Sequence, residues 1–345
     1  MPETVLVTGG NGFVGSWCIV ELLRRGYAVR TTLRSLDKEP GLRTAIAEQV
    51  GDINGLSCVR ADLMRDDGWD AAMAGVDYVL HVASPLGGGE AADRESLVAP
   101  AREGTLRVLG AAVKAGVRRV VMTSAAATAR ARLDSGLASD ETVWADPDDP
   151  QFDAYRVSKI RAERAAWEFM RQHGGGTEFA TVLPGAVFGP IVMPENSGSV
   201  QIIKGLMEGR PPLLPRLGFW IVDVRDLVDA HIAAMTVPAA AGERFIAAGE
   251  FMWMGDMARS LGETLGRRGI RPPRRRLPDI LVRLLSPFMP TLRTLAPLVG
   301  RRIETSSAKA RSVLGFSPRP AAETLADCGR DLLDRGLVRP QRGAA

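Results

Sequence analysis

Cysteine and histidine are scarce, at three of each in 345 residues. Cys18, Cys58 and Cys328 are odd in number and far apart, which excludes a disulfide framework and any metal-spaced pair. His81, His173 and His231 are scattered as well, so no zinc-type constellation and no metal are expected. No apolar stretch reaches the roughly 20 residues that a membrane-spanning helix needs. Residues 1–8 carry neither a basic leader nor a cleavage site, so no secretory signal is expected and a reducing, cytoplasmic setting is the default. An excess of one charge is lacking too. The net charge is +4 and acids and bases are interspersed along most of the chain, which argues against a nucleic-acid partner despite a sequence pI of about 9.2. Internal repeats and low-complexity tracts are absent.

What is present is a globular composition, 46% hydrophobic with mean hydropathy near zero. A single core stops growing at roughly 250–300 residues, so this length implies one large domain with an appendage, or two domains sharing a cleft. Short runs rich in Val, Leu and Thr read as strands at Thr4–Thr8, Tyr27–Leu33, Leu56–Arg60, Val76–Val82, Arg119–Thr123 and Phe179–Leu183. Between them lie helical patterns at Phe13–Arg25, Leu42–Val50, Glu103–Ala115 and Ala154–His173, several stopped by glycine. Asp140–Asp153 reads as a loop. Alternating strands and helices imply an α/β fold, a Rossmann-type doubly wound parallel sheet with right-handed crossovers. The alternation weakens after Pro184-Gly185, where prolines and glycines multiply and a smaller lobe of loops and short helices is expected.

The first strand runs directly into Thr8-Gly-Gly-Asn-Gly-Phe-Val-Gly15. Glycine here permits a tight strand-to-helix turn, close approach of backbone to a pyrophosphate, and close helix–strand packing. The helix that follows offers free N–H groups to phosphates. A glycine triplet alone is a weak signal, but one that ends a strand and opens a helix is a dinucleotide fingerprint. The end of the second strand selects the dinucleotide. Where NAD enzymes of this architecture place an acid, this chain has Leu33-Arg34-Ser35, with Lys38 close behind. Arg34 can pair bidentately with a 2′-phosphate, which points to NADP(H), with Asp37 as the competing feature. Asp62 and Leu63 follow the third strand, at the adenine end of the same crevice. Val82, Ala83 and Ser84 end the fourth.

Tyr155 and Lys159 are four apart near the start of a long helix, and so share one face. A phenol with a pKa of about 10 is a poor acid–base group at neutral pH. A neighbouring ammonium favours the phenolate, and the tyrosine can then exchange a proton with a carbonyl or alcohol oxygen while hydride moves at carbon.

With these segments in place, the chain resembles the extended short-chain dehydrogenase/reductase family, within the NAD-dependent epimerase/dehydratase superfamily. It is most similar to the dihydroflavonol reductase-like, cinnamoyl-CoA reductase-like and yeast-type aldehyde or ketone reductase branch. The resemblance is carried by Val7-Thr-Gly-Gly-Asn-Gly-Phe-Val-Gly15, Arg30-Thr-Thr-Leu-Arg34, Ala61-Asp-Leu63, His81-Val-Ala-Ser-Pro85, Val121-Met-Thr-Ser124, Tyr155-Arg-Val-Ser-Lys159, Pro184-Gly-Ala-Val-Phe-Gly-Pro190, Val222-Asp-Val-Arg-Asp-Leu227 and Leu314-Gly-Phe-Ser-Pro318. It implies pyrophosphate contacts from Gly9, Gly12, Phe13 and Val14, a 2′-phosphate held by Arg34 and Lys38, adenine between Asp62 and Leu63, and Val82, Ala83 and Ser84 along the middle of the cofactor. It also implies that Pro184, Gly185 and Val187 border the nicotinamide, and that Tyr155 and Lys159 touch both cofactor and substrate. One position departs from the family. Its third catalytic residue is usually the second serine of Thr-Ser-Ser, and this chain reads Thr123-Ser124-Ala125. A replacement hydroxyl from Ser124, Thr123 or Thr128 is expected, with Ser124 placed in the catalytic set.

The resulting expectation is an NADP(H)-dependent oxidoreductase that reduces a ketone or aldehyde, or runs the reverse, as a monomer or homodimer. The cofactor unit spans 1–185, with 222–235 returning to it, and 186–340 form a substrate lobe and lid. Substrate-side candidates are Ser84–Gly89, Thr128–Arg132, Phe188–Met193 and Leu217–Asp223, whose aromatic and apolar members favour a hydrophobic carbonyl. Residues 271–302, rich in Arg and Leu, are expected to form a lid whose apolar face packs on the lobe, with a membrane-surface or partner helix left open. Two rival functions stay open. One is a sugar-nucleotide epimerase or dehydratase on the same scaffold, against which Arg34 speaks. The other is a non-catalytic NADP-sensing protein, favoured by Ala125 alone.

Overall fold

Each strand of the large sheet is a short apolar run because helices cover both faces of the sheet. In the computed structural model, residues 2–84, 94–133, 135–193, 198–289, 292 and 295–340 are described. The strands are β1 Thr4–Thr8, β2 Ala28–Leu33, β3 Leu56–Arg60, β4 Tyr78–His81, β5 Arg119–Thr123, β6 Glu178–Pro184, β7 Ala186–Phe188, β8 Gly218–Asp223, β9 Arg244–Ala247 and β10 Phe251–Trp253. The helices on the large sheet are α1 Phe13–Arg24, α2 Glu39–Val50, α3 Trp69–Met73, α4 Arg94–Ala115 and α5 Ala154–His173. Beyond them come α6 Val200–Met207, α7 Val224–Thr236, α8 Met254–Leu265, α9 Asp279–Leu285, α10 Ala308–Leu314 and α11 Ala321–Asp334.

Seven strands pair in the order β3-β2-β1-β4-β5-β6-β9, all parallel. The period-2 alternation of side chains splits β1 between two cores: Val5 and Val7 pack with α1 and α7, and Leu6 with α3 and α4. Helix α7 is tied to the sheet by Arg119 at the start of β5, which donates to the carbonyls of Ala234 and Val237 at the helix end. The Ala234 carbonyl lies in the last turn of α7, where intrahelical partners run out, and the guanidinium satisfies it. A second, three-stranded sheet, β10-β8-β7, leads into the smaller lobe, where α6, α8 and α11 pack together through Ile203, Met207, Leu261, Leu265, Leu325 and Leu332.

Helix α5 has the expected bounds, capped by the Asp153 side chain. Helix α4 begins at Arg94 rather than Glu103 and runs through Pro100. An interior proline costs a backbone hydrogen bond and clashes with the preceding turn. The long packing of α4 along α5 outweighs that cost. Four strands lie outside the expected set: β7, β9 and β10 have three or four residues, too few to show a period, and β8 falls where the strand–helix alternation has weakened.

Candidate cofactor and reaction site

β1 and β4 are neighbours in the sheet while their chains leave in opposite directions, which opens a crevice at their C-terminal ends. Gly9 turns there with φ +72°, and a Cβ on it would lie 3.0 Å from the Cβ of Ala83 at the end of β4. A Cβ on Gly15 would come within 2.3 Å of the Gly9 carbonyl, so the helix can start this close to the strand only with glycine. Gly12 is the N-cap of α1 and supplies no side-chain cap, and the first turn holds no acid. The amides of Phe13 and Val14 therefore open an uncapped, positively polarised helix end. The Phe13 ring is buried in the core and Val14 is half-buried, so both meet the crevice through backbone.

The two strand ends are pinned by a bond set between residues 73 to 75 positions apart, which no local pattern reveals. The Thr8 hydroxyl accepts from the Val82 and Ala83 amides at 3.1 and 3.0 Å. Its own proton then goes to His81 Nδ1 at 3.0 Å, which leaves the imidazole proton on Nε2, facing Thr105 of α4. Burial, and next the charge of Lys159, hold the His81 pKa down at about 3, so this imidazole is neutral.

Arg34 follows β2 and is exposed, with no ion pair or hydrogen bond from its guanidinium to other described residues. Asp37, its competitor, accepts from the Ser35 hydroxyl at 2.7 Å. Lys38 is exposed in the same turn. Asp62 and Leu63 are half-buried after β3, and Gly104 of α4 fits against Leu63 where a Cβ would sit 2.8 Å from the leucine Cβ. Val82, Ala83 and Ser84 are half-buried on the same edge. Pro184 ends β6, and the Gly185 amide donates to the Ala247 carbonyl at 3.0 Å. Val187 is half-buried on β7. These residues thus come together along the C-terminal edge of the sheet. An exposed cation at the end of β2, an uncapped helix start and a glycine cradle fit a phosphorylated dinucleotide.

Tyr155 lies in the first turn of α5 and is 38% exposed. Its phenol pKa is raised, first by desolvation, with Arg156 lowering it and Asp153 raising it. Lys159, one turn on, is buried, and its ammonium donates to the Thr123 carbonyl at 3.2 Å. Burial lowers its pKa to about 8, against the pull of the Glu163 carboxylate toward the charged form.

Glu163, a further turn along α5, is a second feature invisible in sequence. It is 0% exposed and accepts from Ser124 at 2.6 Å, Thr181 at 3.0 Å and Arg244 Nε at 2.9 Å. Arg244, buried on β9, also donates to the Glu141 and Val143 carbonyls and stacks on Trp144. This network occupies the three hydroxyls beside Ala125. Ser124 spends its one proton on Glu163, and Thr128 donates to the Ala125 carbonyl at 2.8 Å. Thr123 is 2.7 Å from His231 Nε2 while His231 Nδ1 faces the Leu227 carbonyl, so the threonine is the donor there. All three hydroxyls expected to replace the missing serine are buried and committed inward, whereas Ala125 is half-buried.

On the substrate side, Phe188 and Met193 are 0% and 6% exposed and belong to the lobe core rather than to a lining. Thr128, Ala129 and Ala131 are buried too, and Arg130 stacks on Phe152. Phe219 and Trp220 are half-buried, and the Trp220 indole donates to the Ile303 carbonyl at 2.7 Å. Of Ser84–Gly89, residues 85–89 lie outside the described residues. Among the described residues no cluster of His, Cys, Asp or Glu fits a metal ion, and no helix is long and apolar enough to cross a membrane.

The profile described as "NAD dependent epimerase/dehydratase family" matches residues 5–248. The chain is 34% identical over 269 residues to dihydroflavonol 4-reductase of Dianthus caryophyllus, covering 76% of this chain and 73% of that protein. It is 35% identical over 267 residues to cinnamoyl-CoA reductase 1 of Petunia hybrida, covering 76% and 77%. The crystal structure of yeast methylglyoxal/isovaleraldehyde reductase Gre2 complexed with NADPH superposes with a TM-score of 0.79 at 27% identity, over 97% of this chain and 100% of that one.

Proposed function

The chain belongs to the NAD dependent epimerase/dehydratase family, and on that premise we propose that it is an NADP(H)-dependent carbonyl reductase acting on a ketone or aldehyde. The observation that carries this reading is the placement of Tyr155 and Lys159 on one face at the start of α5, with the lysine reaching the end of β5. The reductase names of its relatives support the same class of reaction.

Gly9, Gly12, Phe13 and Val14 would hold the pyrophosphate, and Arg34 and Lys38 the 2′-phosphate. Asp62 and Leu63 would flank the adenine. Val82, Ala83, Ser84, Pro184, Gly185 and Val187 would border the rest, and residues 1–185 with 222–235 would form the cofactor unit. When bound, NADPH supplies a hydride. Tyr155 donates the proton that the carbonyl oxygen needs. Its raised pKa holds that proton on the phenol at neutral pH and makes the phenol a weaker acid, so the transfer depends on a neighbouring cation. The Lys159 ammonium stabilises the phenolate left behind. Glu163 keeps that ammonium charged, and Ser124 acts as a positioning residue that ties β5 to Glu163. Among the described residues, Tyr155 is then the one side-chain donor to the carbonyl oxygen. A hydrophobic carbonyl is the favoured substrate, on the half-buried aromatic surface of Phe219 and Trp220.

The test is consumption of NADPH by the purified chain across a panel of aliphatic and aromatic aldehydes and ketones. Turnover that needs both NADPH and a carbonyl supports the reading. Absence of turnover across the panel, in protein that binds NADPH, removes it.

A further inference from the structure

Residues 271–302 hold eight arginines and one acid in a chain whose net charge is +4, so the remainder is acidic on balance. This segment was expected to pack its apolar face on the lobe. The structure instead divides it. Val282 is 0% exposed and packs with Leu217 and Val299. Ile280, Leu281, Leu284, Leu285, Phe288 and Met289 are all exposed, Phe288 to 82%. They make up half of the large hydrophobic side chains exposed among the described residues. Helical hydrogen bonding continues past α9, from the Ser286 amide to Val282 and from the Met289 amide to Leu285. Ile280, Leu281, Leu284 and Leu285 lie on α9, and Phe288 and Met289 continue from it in the turn that follows, so the six share one exposed side with Val282 at its margin as the anchor.

We propose that this stripe docks the protein on an anionic lipid surface. Arg274, Arg275, Arg276, Arg283, Arg301 and Arg302 are exposed around it. The acids beside them, Asp279 and Glu304, are already paired with Arg216 and Arg302. Leu, Ile, Phe and Met on one face with arginine alongside is the composition of a helix lying in a membrane interface rather than crossing it. The field acts over a longer range, because the arginine-rich end of an otherwise acidic molecule turns toward a negative surface. A second copy of this chain fits less well, since pairing two such faces would bring both arginine sets together. Docking through α9 would also set the β8 side of the lobe, where Leu217 meets Val282, close to the lipid. Docking of this kind is independent of the proposed reduction.

The experiment is flotation of the full chain with phosphatidylcholine vesicles, with and without phosphatidylglycerol. Binding to the phosphatidylglycerol vesicles is expected, weakened by about tenfold or more in high salt and in the absence of the anionic lipid. A Leu284→Asp, Phe288→Asp double variant should lose binding by a similar factor, and so should Arg274→Gln, Arg275→Gln, Arg276→Gln, each with unchanged NADPH binding as the folding check. Every one of these side chains is exposed, so at least one variant can be read if the other misfolds. Absence of vesicle binding overturns the proposal, as does binding that neither variant weakens. If neither vesicle binds and Leu284→Asp, Phe288→Asp turns a dimer into a monomer, a second copy covers the stripe and the lipid assignment falls.

Discussion

Glu163→Gln tests how the reacting pair is supported. The substitution keeps size and shape but leaves Lys159 and Arg244 as two buried cations with no acid between them. Glu163 lies one turn beyond Lys159 on α5, and side chains at that spacing start about 6 Å apart. At about 6 Å and an effective dielectric of about 20, the attraction is about 3 kcal/mol, which corresponds to about two pH units. The sign follows from which form works. Proton donation by Tyr155 needs Lys159 charged, so reduction is present below the lysine pKa and lost as pH rises through it. In the unmodified protein that fall should occur near the lysine pKa of about 8. In the variant it should begin about two pH units lower, so that activity already declines across neutrality. The other groups facing Lys159 do not titrate in this window. His81 from β4 and His231, bonded to Thr123, are held neutral by burial with pKa values of about 3 and 4, and Tyr155 is raised. Breaking a buried pair also costs stability, about 3–5 kcal/mol. The assay is therefore kcat against pH at saturating NADPH and carbonyl, with unfolding followed at each pH. A uniform loss of activity with the alkaline limb unmoved would refute the reasoning and leave Glu163 a purely structural residue.

Arg34→Asp should move the ratio of specificity constants from NADPH toward NADH, because the exposed guanidinium has no partner among the described residues and an acid there would repel the 2′-phosphate; equal use of both cofactors by the unmodified protein contradicts this. Ala125→Ser should raise turnover by about tenfold or more, since one added oxyanion donor is worth about 2.7–4 kcal/mol in measured cases and the neighbouring hydroxyls are committed inward. No change in turnover would mean that the reduction does not use a second donor at this position.

The parts of the site legible in sequence are those built by neighbours in the chain. The glycine turn and the Tyr155–Lys159 spacing each lie within one turn or one helix, so local pattern suffices. The supporting network does not share that property. His81 meets Thr8 across 73 positions, and Arg244 meets Glu163 across 81. Both histidines that the site uses looked scattered for that reason. Arg244 sits on a four-residue strand whose place in the sheet no periodicity reveals. Phe188 and Met193 show the converse limit. Apolar composition is shared by a pocket wall and a lobe core, and only packing tells them apart. The exposed stripe on α9 is a third case, because an amphipathic pattern states that one face is apolar but not what that face meets.

Whether Tyr155 is the proton donor is decided by Tyr155→Phe, assayed on one responsive carbonyl and titrated separately with NADPH by fluorescence. The substitution removes the phenol proton and little else, from a side chain whose hydroxyl has no hydrogen-bond partner among the described residues. Reduction should be nearly abolished while NADPH binds within severalfold of the unmodified protein. Retention of most of the turnover would contradict this, because the proton would then have another source.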